Sequence, residues 1–320
     1  MIGKILWLLA TLLLTHAHLA EAQQPKKVPR IGLLAFGNPK DPRPQPFLES
    51  LRSLGWVEGK NIVIERRFAN ENYTRVQENA AELVRLNVDV IAVRDSVAIG
   101  PATRASNTIP IVMLVSGDPV ADGRIDSLAR PGGNVTGVTN ISPQLSGKRL
   151  ELLKEVVPGA SRMAVIGPLT DSTWDQFLSA ARQLGVRLQP LKVQEAAQFV
   201  NAFQAAIKGR SNGLIVLPSP ITNSHRREIG NLAAEHRLPT MYGVNWYVTS
   251  GGLMSYGPNL AALQRRAAYL VDKILKGARP ADLPVEQPRT FELFINLKAA
   301  KQIDLTIPPN VLARADSVIK

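Results

Sequence analysis

Short runs of β-branched and other apolar residues recur along this chain roughly every 25 to 30 residues, with amphipathic segments between them. The runs are 30–36, 61–68, 88–93, 109–115, 162–167, 186–193, 213–217 and 238–242. Ile109, Ile111, Val112, Met113, Leu114 and Val115 show no polar alternation. Strands covered on both faces read this way. Residues 46–54 and 74–86 have helical spacing, and Ala80, Ala81, Leu83 and Val84 gather on one side of the second. Ser172 with Asp175 three residues on resembles a capping box and opens a further helix. Such alternation predicts α/β units with right-handed crossovers.

The alternation breaks in the middle. Pro131-Gly132-Gly133-Asn134-Val135-Thr136-Gly137 makes a turn and a short strand, a helix follows over 145–156, and a new strand starts at Arg162. Ser250-Gly251-Gly252 leads into 253–256 ahead of a helix over 260–275. A last turn over 280–288 precedes a strand over 291–297. At 320 residues a chain divides naturally into two lobes. The predicted architecture is therefore α/β, with two Rossmann-like lobes of parallel sheet joined by a three-segment hinge. Lobe 1 is expected to hold 23–143 plus 251–287, and lobe 2 to hold 144–250 plus 288–320. Two lobes joined by several crossings make a hinge, and a hinge makes a cleft.

Residues 1–22 read as an export signal. Lys4 supplies the positive end, Ile5 to Leu14 the apolar core, and Ala20-Glu21-Ala22 the small residues of a cleavage site. The core is about ten residues, half of the roughly 20 that a spanning helix needs. Cleavage before Gln23 and a periplasmic location are expected. The chain has no Cys, which excludes disulfides, thiolate metal sites, thiol catalysis and a lipidated Cys. Its net charge is +12. The basic residues are scattered; Arg66-Arg67, Arg226-Arg227 and Arg265-Arg266 do not extend into an aromatic-interleaved stripe, so no nucleic-acid partner is expected.

An ordered series of segments carries a family resemblance. It comprises Gly55-Trp56-Val57-Glu58-Gly59-Lys60-Asn61, Ile109-Pro110-Ile111-Val112, Gly117-Asp118-Pro119-Val120, the 131–137 turn and Lys148-Arg149-Leu150-Glu151-Leu152-Leu153-Lys154-Glu155. It continues with Gly251-Gly252-Leu253-Met254-Ser255-Tyr256-Gly257, Lys273-Ile274-Leu275-Lys276-Gly277, Pro280-Ala281-Asp282-Leu283-Pro284-Val285-Glu286 and Asn296-Leu297-Lys298-Ala299-Ala300. Over residues 28–316 the chain resembles the solute-binding proteins of ABC transporters, of the tryptophan/tyrosine type with the type I periplasmic binding fold. The resemblance implies an exported monomer that closes on a small organic solute, an amino acid or related small acid, and delivers it to a permease in the inner membrane. It implies no cofactor and no catalysis.

Ligands of open α/β sheets sit in loops at the carboxyl ends of strands. After the first strand, Phe36 and Asn38 offer stacking and hydrogen bonds on a rim of four prolines over 37–46, or the rim is simply a rigid surface loop. After the third come Ser96 and Val97 at a helix start, where free amides suit a carboxylate or Ser96 serves as a cap. The family usually has Thr or Ser with small neighbours there, so Asp95 is a departure; it would repel an acidic ligand group unless an ammonium lies between them, and like Asp118 it suits an ammonium. After the fourth lie Ser116 and Asp118, the latter an ammonium acceptor or a cap for the turn at Pro119. Asn140, at the first crossing, either reaches the cleft or holds the hinge. In the second lobe the candidates are Ser219, Tyr242, Asn245 and Tyr256, with Asn223 and Trp246 nearby. Each aromatic can stack on a ligand or pack beneath its loop.

Catalytic signatures are absent: no Gly-x-Ser-x-Gly, no His-Glu-x-x-His, no phosphate loop and no dinucleotide fingerprint. His225 and His236 both read as surface or cap residues. A solute-binding protein is the leading expectation; an exported α/β enzyme and a periplasmic sensing domain are the alternatives.

Overall fold

The computed structural model describes residues 27–39, 44–167, 169 and 171–320. The expected signal over 1–22, the Lys40-Asp41-Pro42-Arg43 part of the rim and the Ser172 cap lie outside what it describes. Strands β1 (Arg30–Ala35), β2 (Val63–Phe68), β3 (Val90–Val93), β4 (Ile111–Met113) and β5 (Val135–Gly137) form a parallel sheet in the order β2-β1-β3-β4-β5. Every residue of β3 and β4 is buried, as their unbroken apolar character requires. Helices α1 (Gln45–Ser53), α2 (Tyr73–Arg85) and α3 (Ser96–Ala105) connect these strands. Asn72 caps α2 by accepting from the Arg75 N–H at 2.9 Å.

The second lobe is built on β6 (Arg162–Gly167), β7 (Arg187–Lys192), β8 (Gly213–Val216), β9 (Thr240–Tyr242), β10 (Met254–Pro258), β11 (Phe291–Asn296) and β12 (Ser317–Ile319). Their order is β12-β11-β10-β9-β8-β6-β7, and β10 meets β11 antiparallel. Its helices are α4 (Ser146–Val156), α5 (Asp171–Leu184), α6 (Phe199–Lys208), α7 (Pro220–Ser224), α8 (Arg226–Glu235) and α9 (Asn245–Thr249). The helix α10 (Leu260–Leu275) returns to the first lobe and packs on α1, β3 and β4. Its face of Leu260, Leu263, Ala267, Leu270, Val271 and Ile274 is buried, at roughly 1.5–3 kcal/mol for each large aliphatic side chain. Trp56 Nε1 donates to Asp272 at 2.9 Å and fixes its rotation. The chain ends in the second lobe with α11 (Leu297–Gln302) and α12 (Pro309–Leu312).

Most of the expected strands and helices are present, with one correction. Residues 251–258 were expected in lobe 1, but β10 pairs with β9 and β11 in the second sheet. The glycines that suggested a crossing instead close α9 inside lobe 2. Gly252 N–H donates to Tyr247 O at 2.8 Å, and a Cβ there would press on the Tyr242 ring. The crossing comes at Pro258 and Asn259, where Asn259 caps α10 by accepting from Ala262 N–H at 2.8 Å.

The three crossings run side by side. Thr139 N–H donates to Glu286 O at 2.9 Å and Glu286 N–H to Gly137 O at 3.0 Å, which joins the first to the third. Asn259 N–H reaches Thr290 O at 3.4 Å and joins the second to the third. Gly137 ends β5 with φ at +139°, and a Cβ there would meet the Met113 backbone. Gly137→Ala is therefore expected to destabilise the fold by about 3 kcal/mol or more. Gly133→Ala, whose Cβ would meet open space at a φ of +56°, should cost only about 1 kcal/mol. Urea denaturation of both variants checks the difference.

Candidate functional site

Two adjoining spaces open between the lobes. The inner one is a cavity of about 60 Å³, with Ser116, Asn140 and Gln264 on the first-lobe side and Ser219, Asn223 and Trp246 on the second. At roughly 10–15 Å³ per water-sized position, it holds a handful of polar atoms. The outer one is a cleft of about 590 Å³ between Phe36, Tyr73 and Val97 of the first lobe and Leu169, Pro220 and Ile221 of the second. That volume suits a small organic ligand. Ser96, Gly117, Pro218, Ser219 and Pro220 line both spaces, so they form one site.

Local folding explains most of these positions. Asp95, not Ser96, is the N-cap residue of α3, and its side chain makes no cap bond. Its Oδ2 accepts from Phe36 N–H at 3.0 Å and from Arg94 Nε at 3.1 Å. Both charged side chains are buried, so they neutralise each other inside the wall. Asp95 also lines the inner cavity, and through these bonds it ties the β3 loop to the β1 loop. Ser96 is the first residue of α3 and faces the site beside that helix's amino end. Asp118 Oδ1 accepts from Ala121 N–H at 3.0 Å, the capping role, while the residue lines the outer cleft. Asn140 holds the hinge: its N–H donates to Ser116 O at 2.7 Å and its Oδ1 accepts from Ser142 N–H at 3.0 Å. It lines the inner cavity as well. Ser219 caps α7 in a reciprocal pair with Thr222.

Four candidates line neither space. Tyr242 is fully buried and stacks on Tyr247 at 4.7 Å; burial pushes its phenol above the ordinary range. Asn245 Nδ2 reaches Glu292 Oε2 at 3.5 Å. Tyr256 lies in β10 with its ring against Phe291 at 6.2 Å. Asn38 sits on the rim outside the two spaces. Position after a strand does not decide direction, because side chains alternate faces along extended chain.

Gln264 lies on a helix, where the rule that ligands sit in strand-end loops does not reach. Its signal was nonetheless present: a polar residue between Leu260, Leu263, Ala267 and Ala268 on the buried face of α10. Gln264 Oε1 and Ser116 Oγ are buried and have no hydrogen-bond partner among the described residues. Buried polar atoms are nearly always paired, so two orphans lining one cavity point to a ligand. Among the described residues no cluster of three His, Asp or Glu could hold a metal, and no helix is long and apolar enough to cross a membrane.

Residues 39–319 match the family of ABC transporter substrate binding proteins. A tyrosine-binding protein of Clostridioides difficile is 27% identical over 264 residues, which cover 81% of this chain and 75% of that protein. The crystal structure of an ABC domain in complex with L-Trp from Streptococcus pneumonia has a TM-score of 0.84 at 22% identity, covering 91% of this chain and 99% of that one. A ligand-free, open substrate-binding protein with adhesive properties from Clostridium difficile has a TM-score of 0.66 at 23% identity, covering 92% and 100%. The two-lobed fold is the type I periplasmic binding fold.

The Arg94–Asp95 pair generates a prediction. Removing the carboxylate from a buried guanidinium costs about 3–5 kcal/mol. Asp95→Ala should therefore lower the melting temperature with or without ligand. A variant of unchanged stability that had merely lost affinity would place Asp95 on the ligand instead.

Proposed function

We infer that this chain, which belongs to the family of ABC transporter substrate-binding proteins, captures an amino acid in its interlobe site and delivers it to a membrane permease. L-tyrosine and L-tryptophan are the first solutes to consider, because relatives are described as binding tyrosine or as complexed with L-Trp. The observation that carries the reading is the pair of orphaned buried atoms, Ser116 Oγ and Gln264 Oε1, lining a cavity between two lobes. Neutral acceptors of this kind suit an ammonium group. The ligand carboxylate would then lie at Ser96 and the amino end of α3, where amides and the helix dipole favour negative charge. Arg94 and Asp95 add no net charge to the wall, which suits a zwitterion. The side chain would extend into the outer cleft against Phe36, Tyr73 and Val97.

Magnitudes assign the roles. An aromatic side chain burying 150–250 Å² at about 25 cal/mol/Å² contributes roughly 4–6 kcal/mol. A hydrogen bond to the ligand's ammonium or carboxylate contributes about 1.5–3 kcal/mol. Burial in the outer cleft would supply the largest single contribution, and the inner polar groups would add to it while setting orientation. Export through cleavage before Gln23 places the protein in the periplasm, and N-terminal sequencing of material from that compartment is expected to start at Gln23.

A thermal-shift screen of the mature protein against the amino acids tests the solute. At 100 times its dissociation constant the true ligand should add about 2.7 kcal/mol of stability. Gln264→Leu, close in volume, and Ser116→Ala should each weaken binding by about tenfold or more, the worth of one hydrogen bond to a charged group. Amino acids that leave the melting temperature unmoved would sink the assignment.

A further inference from the structure

Among the described residues, a titratable contact joins the two lobes outside the ligand site. His225 stands between α7 and α8, ending one and starting the other. Its Nδ1 lies 3.1 Å from Glu228 Oε2 on α8, within its own lobe. Its Nε2 lies 3.7 Å from Glu71 Oε2, which belongs to the first lobe. Glu71 follows β2 in a turn where Asn70 and Glu71 have φ of 49° and 65°. Two successive non-glycine residues in the left-handed region are uncommon, and such backbone collects at binding and switch segments. Hydrogen bonds enforce it: Asn70 N–H donates to Gly37 O at 3.2 Å and Glu71 N–H to Phe36 O at 2.7 Å. The turn that presents Glu71 is thus tied to Phe36, a wall of the outer cleft. On the other side α7 carries Ser219 at its start and His225 at its end.

The chemistry of imidazole gives this contact a condition. A neutral ring has one N–H donor, and only the protonated ring has two. With Nδ1 donating to Glu228, a neutral ring turns a lone pair toward Glu71, whereas a protonated ring attracts both carboxylates. The 3.7 Å distance to Glu71 is an ion-pair separation, longer than a neutral hydrogen bond. The remaining neighbours do not supply that charge. Phe199 of α6 offers its ring at 5.9 Å. Arg226 directs its guanidinium to Ser250 Oγ and Asn223 O, both at 3.0 Å, and Arg227 is exposed on the adjoining turn.

We propose that His225 is a proton-operated clasp across the cleft. Protonated, it holds Glu71 of lobe 1 and Glu228 of lobe 2 together and favours the closed arrangement. Neutral, it keeps Glu228 alone and releases the first lobe. Acid therefore favours closure, and the effect fades as pH rises through the range in which imidazole loses its charge. The proposal rests on the reading that the lobes open and close.

The test needs no known solute. The chain has no native Cys, so Gln77→Cys on α2 and Val200→Cys on α6, both exposed, can carry a pair of spin labels. Pulsed electron resonance then gives the interlobe distance distribution at about pH 5 and about pH 8, the span over which imidazole changes charge. For a half-exposed pair the closed-to-open ratio should be about two- to fivefold higher in acid. His225→Gln and Glu71→Gln should each abolish most of that difference, with circular dichroism confirming that both fold. A ratio indifferent to pH in the parent protein, or a pH effect that survives in either variant, overturns the clasp. Adding L-tyrosine or L-tryptophan separates the two readings. A distance that shortens with solute but not with acid overturns the clasp and keeps solute binding. A distance that shortens with acid but with neither amino acid keeps the clasp and counts against those solutes.

Discussion

Arg149 is a buried cation whose partners are three main-chain carbonyls and one hydroxyl. From α4 its Nε donates to Tyr256 O at 2.8 Å, one terminal nitrogen to Ser142 O and Oγ at 3.0 Å, and the other to Gly243 O at 3.3 Å. Burial pushes the guanidinium down to about 10, still charged at neutral pH. An isolated buried charge is costly, and carbonyl dipoles that converge on it offset the cost while being satisfied themselves. The three carbonyls lie where the chain enters lobe 2, where β9 ends and where β10 runs toward the second crossing. One side chain thereby sets the place from which two crossings leave the second lobe. The approach also depends on glycine: a Cβ on Gly257 would meet the Gly243 carbonyl.

The floor of the candidate site stands on the same frame. Ser116 O accepts from Asn140 N–H at 2.7 Å and from Thr139 Oγ1 at 3.1 Å, so the β4 loop is bound directly to the first crossing. Gln264 enters from α10, which begins at the second crossing. The inner cavity is thus built where the lobes are covalently joined and hydrogen-bonded. The outer cleft is walled by loops belonging to one lobe or the other. A rotation of the lobes would widen the outer cleft first and leave the inner polar groups nearest the axis. A polar head held deep and a side chain gripped at the mouth is the division of labour that this geometry favours. The Glu71–His225 contact belongs to the same outer side, since the Glu71 turn is tied to Phe36 of the outer cleft.

Much of this was legible in order along the chain. Strand and helix periodicities are local, so the apolar runs at 30–36, 88–93 and 162–167 marked real strands and residues 260–275 a real helix. Ser96, Ser116, Asn140 and Ser219 could be named because strand ends carry the loops that face a cleft. The same rule also selected Tyr242, Asn245 and Tyr256. Their direction depends on which face of the sheet each side chain leaves, and on what the other elements have already covered.

By itself the sequence determined the α/β alternation, the two lobes and the family, because each follows from patterns within a few tens of neighbouring residues. The tertiary structure alone decided that 251–258 belongs with the second sheet, since glycines mark a turn without saying which lobe it serves. It also decided that Asp95 binds Arg94 and Phe36, that Gln264 reaches the cavity from a helix, and that Glu71 meets His225, 154 positions further along the chain. Those are pairings between distant segments, fixed by burial and by the demand that buried charges and donors find partners. No local periodicity encodes them.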